Sequence, residues 1–432
     1  MQSINPADTA WMLVSTALVL LMTPALAFFY GGLVRNKNSL NTMMMSLVAL
    51  GVVGVTWAVA AYSLAFSEGG PFLGGLANIG LQGVGTEAKG TIPHVLFMAY
   101  QATFAIITAA LISGAVVERM RFGPYVAFIT LWTLLVYAPV AHWVWGGGWL
   151  MSRGALDFAG GTVVHINAGV SALVAALVLG SRKDYGRTAV IPHNVPFVLL
   201  GAGLLWFGWF GFNGGSALAA NGLAALAFTN TFLAPAATLV VWTLLDYFRT
   251  GKATAVGGAT GIVVGLVAVT PAAGFISPLS ALILGAIAAF PSYFMIQLRS
   301  RTRIDDSLDV FAGHGIGGLT GALLTGVLAQ KVWNPAGSDG LLFGNPHQLA
   351  VQALACLSAA AYAGIMTFAI LKGLSLVLSL RAVPRIEGVG MDVSQHGEEA
   401  YASGEGSILV HPDVLAAEEL SGVLVPATAS AQ

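Results

Sequence analysis

From residue 9 to residue 379 the chain repeats one pattern, a long apolar run followed by a short polar break. Eleven such runs stand at 9–33, 41–66, 93–117, 124–146, 161–181, 195–217, 221–247, 255–275, 277–298, 308–330 and 347–379. A helix needs about 20 mainly apolar residues to cross a bilayer, and each run supplies them. The breaks carry turn and charge signals, among them RNKNS at 35–39, ERMRF at 118–122, SRKDYGR at 181–187 and LRSRTRIDD at 298–306. The pattern predicts an all-α polytopic membrane protein with eleven transmembrane helices. It divides the chain into a transmembrane domain, 1–380, and a C-terminal tail, 381–432, where acidic residues gather with Gly and Ser.

Charge placement then gives an orientation. Fifteen of the 18 Lys and Arg residues fall on one side of the predicted helices, and only Lys89, Arg153 and Lys331 fall on the other. By the positive-inside rule the N-terminus is outside and the tail cytoplasmic, in an inner (plasma) membrane. The stretch Thr23-Pro24-Ala25-Leu26-Ala27 resembles a signal-peptide cleavage site. No basic residue precedes the apolar run, however, so it reads as the first helix.

Composition sharpens this picture. The chain is 56% hydrophobic and 9% charged, far from the ~25% charge of a soluble domain. A net charge of -1 leaves no basic patch for nucleic acid. Gly is 54 of 432 residues, an excess that suggests helices packed closely through small side chains. One cysteine, Cys356, excludes an internal disulfide and a cysteine-based metal cluster.

Two segments match two others. Phe29-Tyr30-Gly31-Gly32 is similar to Phe212-Asn213-Gly214-Gly215, and Leu156-Asp157 leading to His165 is similar to Leu308-Asp309 leading to His314. Five helices separate each pair, so the second copy is inverted in the membrane. Inverted repeats belong to transport folds with a site near the midplane.

Ionisable groups within spans are costly and are functional by default. His165 follows Asp157 by eight residues, and His314 follows Asp306 by eight. Each is then ~12 Å of helical rise from opposite faces, close to the middle of a ~30 Å core. The alternative is a core histidine satisfied by a backbone carbonyl. Tyr100, Trp145 and Ser216 fall at one outer level, with Phe104 and Phe212 beneath. That arrangement suits a cation-π cup above a phenyl gate. From spacing alone, lipid-facing packing and an interfacial belt for Trp145 account for these residues better. Asp157 reads equally as a helix N-cap and as a charge at a pore mouth.

The motifs DFAGGTVVH (157–165), GWFGFN (208–213) and Asp309-Val310-Phe311 through His314-Gly315 resemble the ammonium transporter family (Amt/Mep/Rh), bacterial Amt-type, over about 9–401. The resemblance implies two inverted five-helix halves plus one peripheral helix, assembled as a homotrimer with one pore per subunit. It implies an outer ammonium site at Trp145, Phe104 and Ser216, with Asp157 below it. It further implies a gate of Phe104 and Phe212 and a twin-histidine pore of His165 and His314. Tyr100 departs from the Phe of many members and brings a hydroxyl into the outer site. The tail segment 388–401 resembles the family's cytoplasmic tail, near which a PII-type signal protein docks in many bacterial members.

The implied activity is transport and not catalysis, with no cofactor. Ammonium is recruited as a cation at a π-lined site with a hydroxyl acceptor, deprotonated near the gate and passed as ammonia. The alternatives are a gas channel of Rh type and an ammonium sensor. An intramembrane metal enzyme using His165, His314 and Asp157 is a further alternative, opposed by the absence of an H-E-x-x-H motif.

Overall fold

The computed structural model describes residues 3–401. Among the described residues, ten helices are long and apolar enough to span a membrane: α1 (Pro6–Leu33), α2 (Asn36–Phe66), α3 (His94–Val116), α4 (Phe122–Ser152), α5 (Gly161–Leu179), α6 (Val195–Gly215), α7 (Gly222–Thr250), α9 (Pro278–Arg299), α10 (Phe311–Leu328) and α11 (Pro346–Ser375). Between α7 and α9 lies α8 (Ala255–Val269), of 15 residues. The expected span at 255–275 is therefore shorter than a full crossing, and the count of eleven is corrected to ten full-length helices plus this one. The chain beyond Val269 leaves the helix in successive turns through Ser277.

Local chemistry sets the ends. Asn5, Asn221, Thr254 and Ser277 accept first-turn amides with their side chains. Such caps satisfy donors that a helix cannot satisfy itself. Proline stands in the first turn of α1, α6, α9 and α11, where a missing N–H costs nothing.

The bundle is held by backbone contact. Gly201, Gly208 and Gly211 lay one face of α6 on α1, where any Cβ would strike Phe29, Met22, Leu18 or Ser15. At Gly169 on α5 a Cβ would strike the backbone of Gly315 on α10, and at Gly318 it would strike His165. Close approach through small residues is what drives helix association where lipid is as apolar as leucine. The two repeat-related pairs, α1 with α6 and α5 with α10, thus both cross at glycine.

The repeat is visible in detail, with one correction. Asp157 accepts the amide of Thr162 at 2.8 Å, and Asp306 accepts that of Phe311 at 2.7 Å, five residues on in both cases. Asp306, not Asp309, is therefore the counterpart of Asp157. Asp309 sits at φ 57° and pairs with Arg299 instead.

On the face that gathers the cations, α12 (Pro384–Val389) and α13 (Met391–His396) fold the tail against the bundle. Asp392 accepts the amides of Leu40 and Asn41, and Met391 donates to Asn38. The rest of the tail, 402–432, lies outside the described residues.

Candidate functional site

Three spaces lie in succession within the bundle. The one at the end away from the tail, the expected outer side, has about 190 Å³ and is lined by Phe104, Trp145, Ser216, Gln101, Phe66 and Phe97 among others. Trp145 is fixed by its indole N–H, which donates to the carbonyl of Asp157 at 2.8 Å. That leaves a π face for the vestibule. Ser216 follows the last turn of α6 and donates to the carbonyl of Phe212 at 2.8 Å, which frees its lone pairs to accept.

Phe104 forms the floor of this space and stacks on Phe212, with ring centroids 4.1 Å apart and planes 21° from parallel. The gate pair expected from sequence is therefore one closed layer, and both rings are buried.

Below it is a constriction of only about 10 Å³, with Phe212, His165, Trp209, Phe29, Val263 and His314 on its wall. His165 and His314 meet there: their Nδ1 atoms are 3.3 Å apart and their rings stack with centroids at 5.3 Å. Two facing Nδ1 atoms share one proton, so one ring donates and the other accepts. The pair then presents one Nε2 acceptor and one Nε2–H donor. The Nε2 of His165 has no hydrogen-bond partner in the structure. Trp209 stacks on its other side at 5.4 Å.

The depth of both histidines has an unexpected cause. Each lies in a π-helical turn, Gly161–Ile166 and Phe311–Ile316, that opens its helix. The amide of His165 reaches back five residues to Gly160, whose φ of 124° only glycine holds without strain. The Asp-to-His interval is thus a capped loop followed by a widened turn, not eight residues of α-helix. Such turns recur at functional sites.

His314 also borders the third space, a cavity of about 440 Å³ on the tail side. Its wall carries Arg182, Arg299, Asp309 and Tyr30. Arg182 is held by Asp305 and Glu118 at 2.8 and 2.7 Å. Burial works against the Asp305 carboxylate, but the Arg182 guanidinium beside it keeps its pKa below the ordinary value.

Two residues expected at the outer site stand elsewhere. Tyr100 does not line the vestibule; it is buried behind Ser216, with its hydroxyl within 3.0 Å of the carbonyls of Gly211 and Phe212. Its added hydroxyl braces the end of α6. Asp157 caps α5: its two oxygens take the amides of Gly160, Gly161, Thr162 and Val163 and the Thr162 hydroxyl. A carboxylate so occupied has no oxygen to offer a metal.

Sequence reasoning missed several wall residues, Phe66 and Phe97 of the vestibule among them. Gln101 lines the vestibule with a buried, unpartnered carbonyl oxygen, and its signal was a polar residue one position from Tyr100 in an apolar helix. Phe29 was legible through the repeat, as the counterpart of Phe212. Trp209 and Val263 carried no polar signal.

A model described as the Ammonium Transporter Family matches residues 10–401. The chain is 48% identical over 398 residues to an ammonium transporter of Bacillus subtilis, covering 91% of this chain and 98% of that one. It is 49% identical over 406 residues to an ammonium transporter of Aquifex aeolicus, covering 92% and 94%. Among solved structures, Candida albicans Mep2 matches with a TM-score of 0.82 at 38% identity, over 87% of this chain and 85% of that one.

Proposed function

The chain belongs to the ammonium transporter family, and from that premise we propose that it recruits ammonium as a cation at the outer vestibule and conducts it onward as ammonia. The observation that carries this reading is the order of the three spaces. An aromatic cup without a charged wall residue is sealed by stacked Phe104 and Phe212 from a constriction whose polar groups are two imidazoles.

The physical argument follows the ion. A cation held by the face of Trp145 and by the Ser216 lone pairs is stabilised by π attraction and one accepted hydrogen bond. Potassium, of similar size, gains the first but cannot donate the second. Beyond the phenyl layer, carrying a charge into an apolar channel costs far more than carrying a neutral molecule. The N–H bond therefore breaks on the vestibule side of the gate, its proton passing to vestibule water, and ammonia passes the His165–His314 pair by exchanging hydrogen bonds with the imidazole Nε2 positions.

The cations Arg35, Arg119, Arg182 and Arg381 meet on the tail side, which supports a cytoplasmic tail and an outside N-terminus in a plasma membrane. We further propose that the transmembrane unit, 1–380, works as a homotrimer and that the tail, 381–432, carries regulation, with a PII-type protein as its partner.

Uptake by reconstituted protein, measured at several pH values below 8, tests the recruitment step. The curves should superimpose when plotted against ammonium-ion concentration. Superposition on ammonia concentration would overturn it and favour the gas-channel reading.

A further inference from the structure

At the rim of the outer vestibule the chain already holds a primary ammonium group of its own. The hairpin Ala88–Lys89 with Ile92–Pro93 turns at Gly90, φ 65°, immediately before α3. It sets the Lys89 Nζ 4.5 Å from the centroid of Phe97, 5.7 Å from Tyr62 and 5.9 Å from Phe66. The same group donates to the Tyr62 hydroxyl at 3.3 Å. No carboxylate pairs with it among the described residues. Glu87, the nearest acid along the chain, instead binds His94 at 3.0 Å and the Gly85 amide at 3.2 Å. His94 in turn contacts the Tyr62 hydroxyl at 2.5 Å, so Tyr62 is locked in place. Burial lowers the pKa of Lys89 from its ordinary value, yet the π faces are what a cation in this position needs.

Two of these rings have a second role. Phe66 and Phe97 also line the vestibule together with Phe104, Trp145 and Ser216. A fixed positive charge therefore stands against the wall of the space where ammonium is recruited.

We propose that Lys89 is an affinity-setting residue: its caged charge repels the recruited cation and raises the ammonium concentration at which the vestibule fills. This rests on the recruitment reading above. Its physical basis is Coulombic and simple. Two like charges separated by roughly one aromatic side chain, about 9 Å, interact by an amount worth about two- to twentyfold in affinity, depending on the effective dielectric. The repulsion weakens as salt screens the rim, because the Debye length at ~0.1 M is of the same size as that separation. Removing the charge while keeping the aliphatic stem in the cage should thus tighten recruitment, and reversing it should tighten recruitment further.

The test is uptake of radiolabelled methylammonium by the reconstituted full chain, at low and high sodium sulfate. Lys89→Met should lower the half-saturating concentration about threefold or more, Lys89→Glu should lower it further, and Lys89→Arg should match the parent. High salt should shrink the differences. Trp145→Leu is measured alongside. A purely structural lysine predicts a different order, with Glu worst and salt without effect. Should Trp145→Leu shift the curve while the charge series does not, the Lys89 inference is overturned alone. Should neither shift it, the recruitment site itself is wrong. Should Lys89→Met fold poorly, Lys89→Arg and Lys89→Glu still decide by their order.

Discussion

The outer and inner halves of the pore are built from repeat-related helices but end in different chemistry. Phe212 on α6 and Phe29 on α1 occupy matching motif positions, and both wall the constriction. Phe212 has Phe104 of α3 to stack on. The helix answering α3 in the second copy is the short α8, and it offers Val263 there. The outer side is closed by a ring pair, while the inner side has a single ring opposite an aliphatic residue. The vestibules differ as well: the outer wall is aromatic, and the inner one carries Arg182, Arg299 and Asp309. The symmetry of the fold places the two histidines, and the departures from symmetry make its two ends chemically different.

The strongest way to break the comparison is to attack what both halves share. Gly169→Val would drive a Cβ into the Gly315 backbone, which has no flexible end to give. We expect a loss above ~3 kcal/mol, seen as loss of monodisperse protein after solubilisation. Gly313→Ala, where a Cβ meets nothing, should retain the fold.

The inner end should respond to acid. Glu118, fully buried at φ 68°, accepts from Arg35, Asn38 and Arg182. Burial pushes its pKa up, but the guanidinium groups of Arg182 and Arg35 outweigh this and bring it down to about 2. A depressed acid gives stability that is present above the unfolded pKa of about 4.3 and lost as pH falls toward 2. That stability is on the order of 3 kcal/mol. Thermal melts should show Glu118→Gln less stable at neutral pH, with a flatter decline between about pH 4.5 and 2.

Kinetics should separate the two ends. Trp145→Leu removes a cation-π face worth ~0.5–2 kcal/mol, raising the half-saturating concentration a few-fold to about thirtyfold. Phe29→Val, at the inner side, should change maximal flux and leave half-saturation close to the parent. Deleting 402–432 should have the smallest effect, with assembly and transport retained in size-exclusion and uptake measurements.

How far the sequence carries is clear from particular residues. Hydrophobic runs located the ten long helices and the start of the shorter α8, because a bilayer enforces length and apolarity directly. The early end of α8 escaped because the buried turns after it are as apolar as helix. The family motifs drew attention to Phe104 and Phe212 and to His165 and His314, which the fold brings together in pairs. Their geometry was not legible, since π-helical turns arise where α5 and α10 cross, and spacing alone does not encode that contact. Asp309 was mistaken for the repeat partner of Asp157 because both follow leucine; only the capping bond singles out Asp306. Tyr100 and Asp157 were expected at the outer site, but hydrogen bonding turns them into the frame. The tail's capping of α2 through Asp392 joins residues some 350 positions apart and left no local mark.

The central claim is that the outer site only favours ammonium, and that the exclusion of potassium rests on the His165–His314 pair, where the cation would be least hydrated. A neutral imidazole pair offers a donor and an acceptor but no fixed negative charge, so potassium gains too little to shed its water. His165→Asp combined with His314→Glu would supply that charge at mid-membrane. Potassium current through the reconstituted parent and double variant, recorded side by side, is the direct measurement. The account predicts current in the variant and none in the parent. A variant that folds, carries ammonium and still rejects potassium would place selectivity in the outer vestibule and contradict the account.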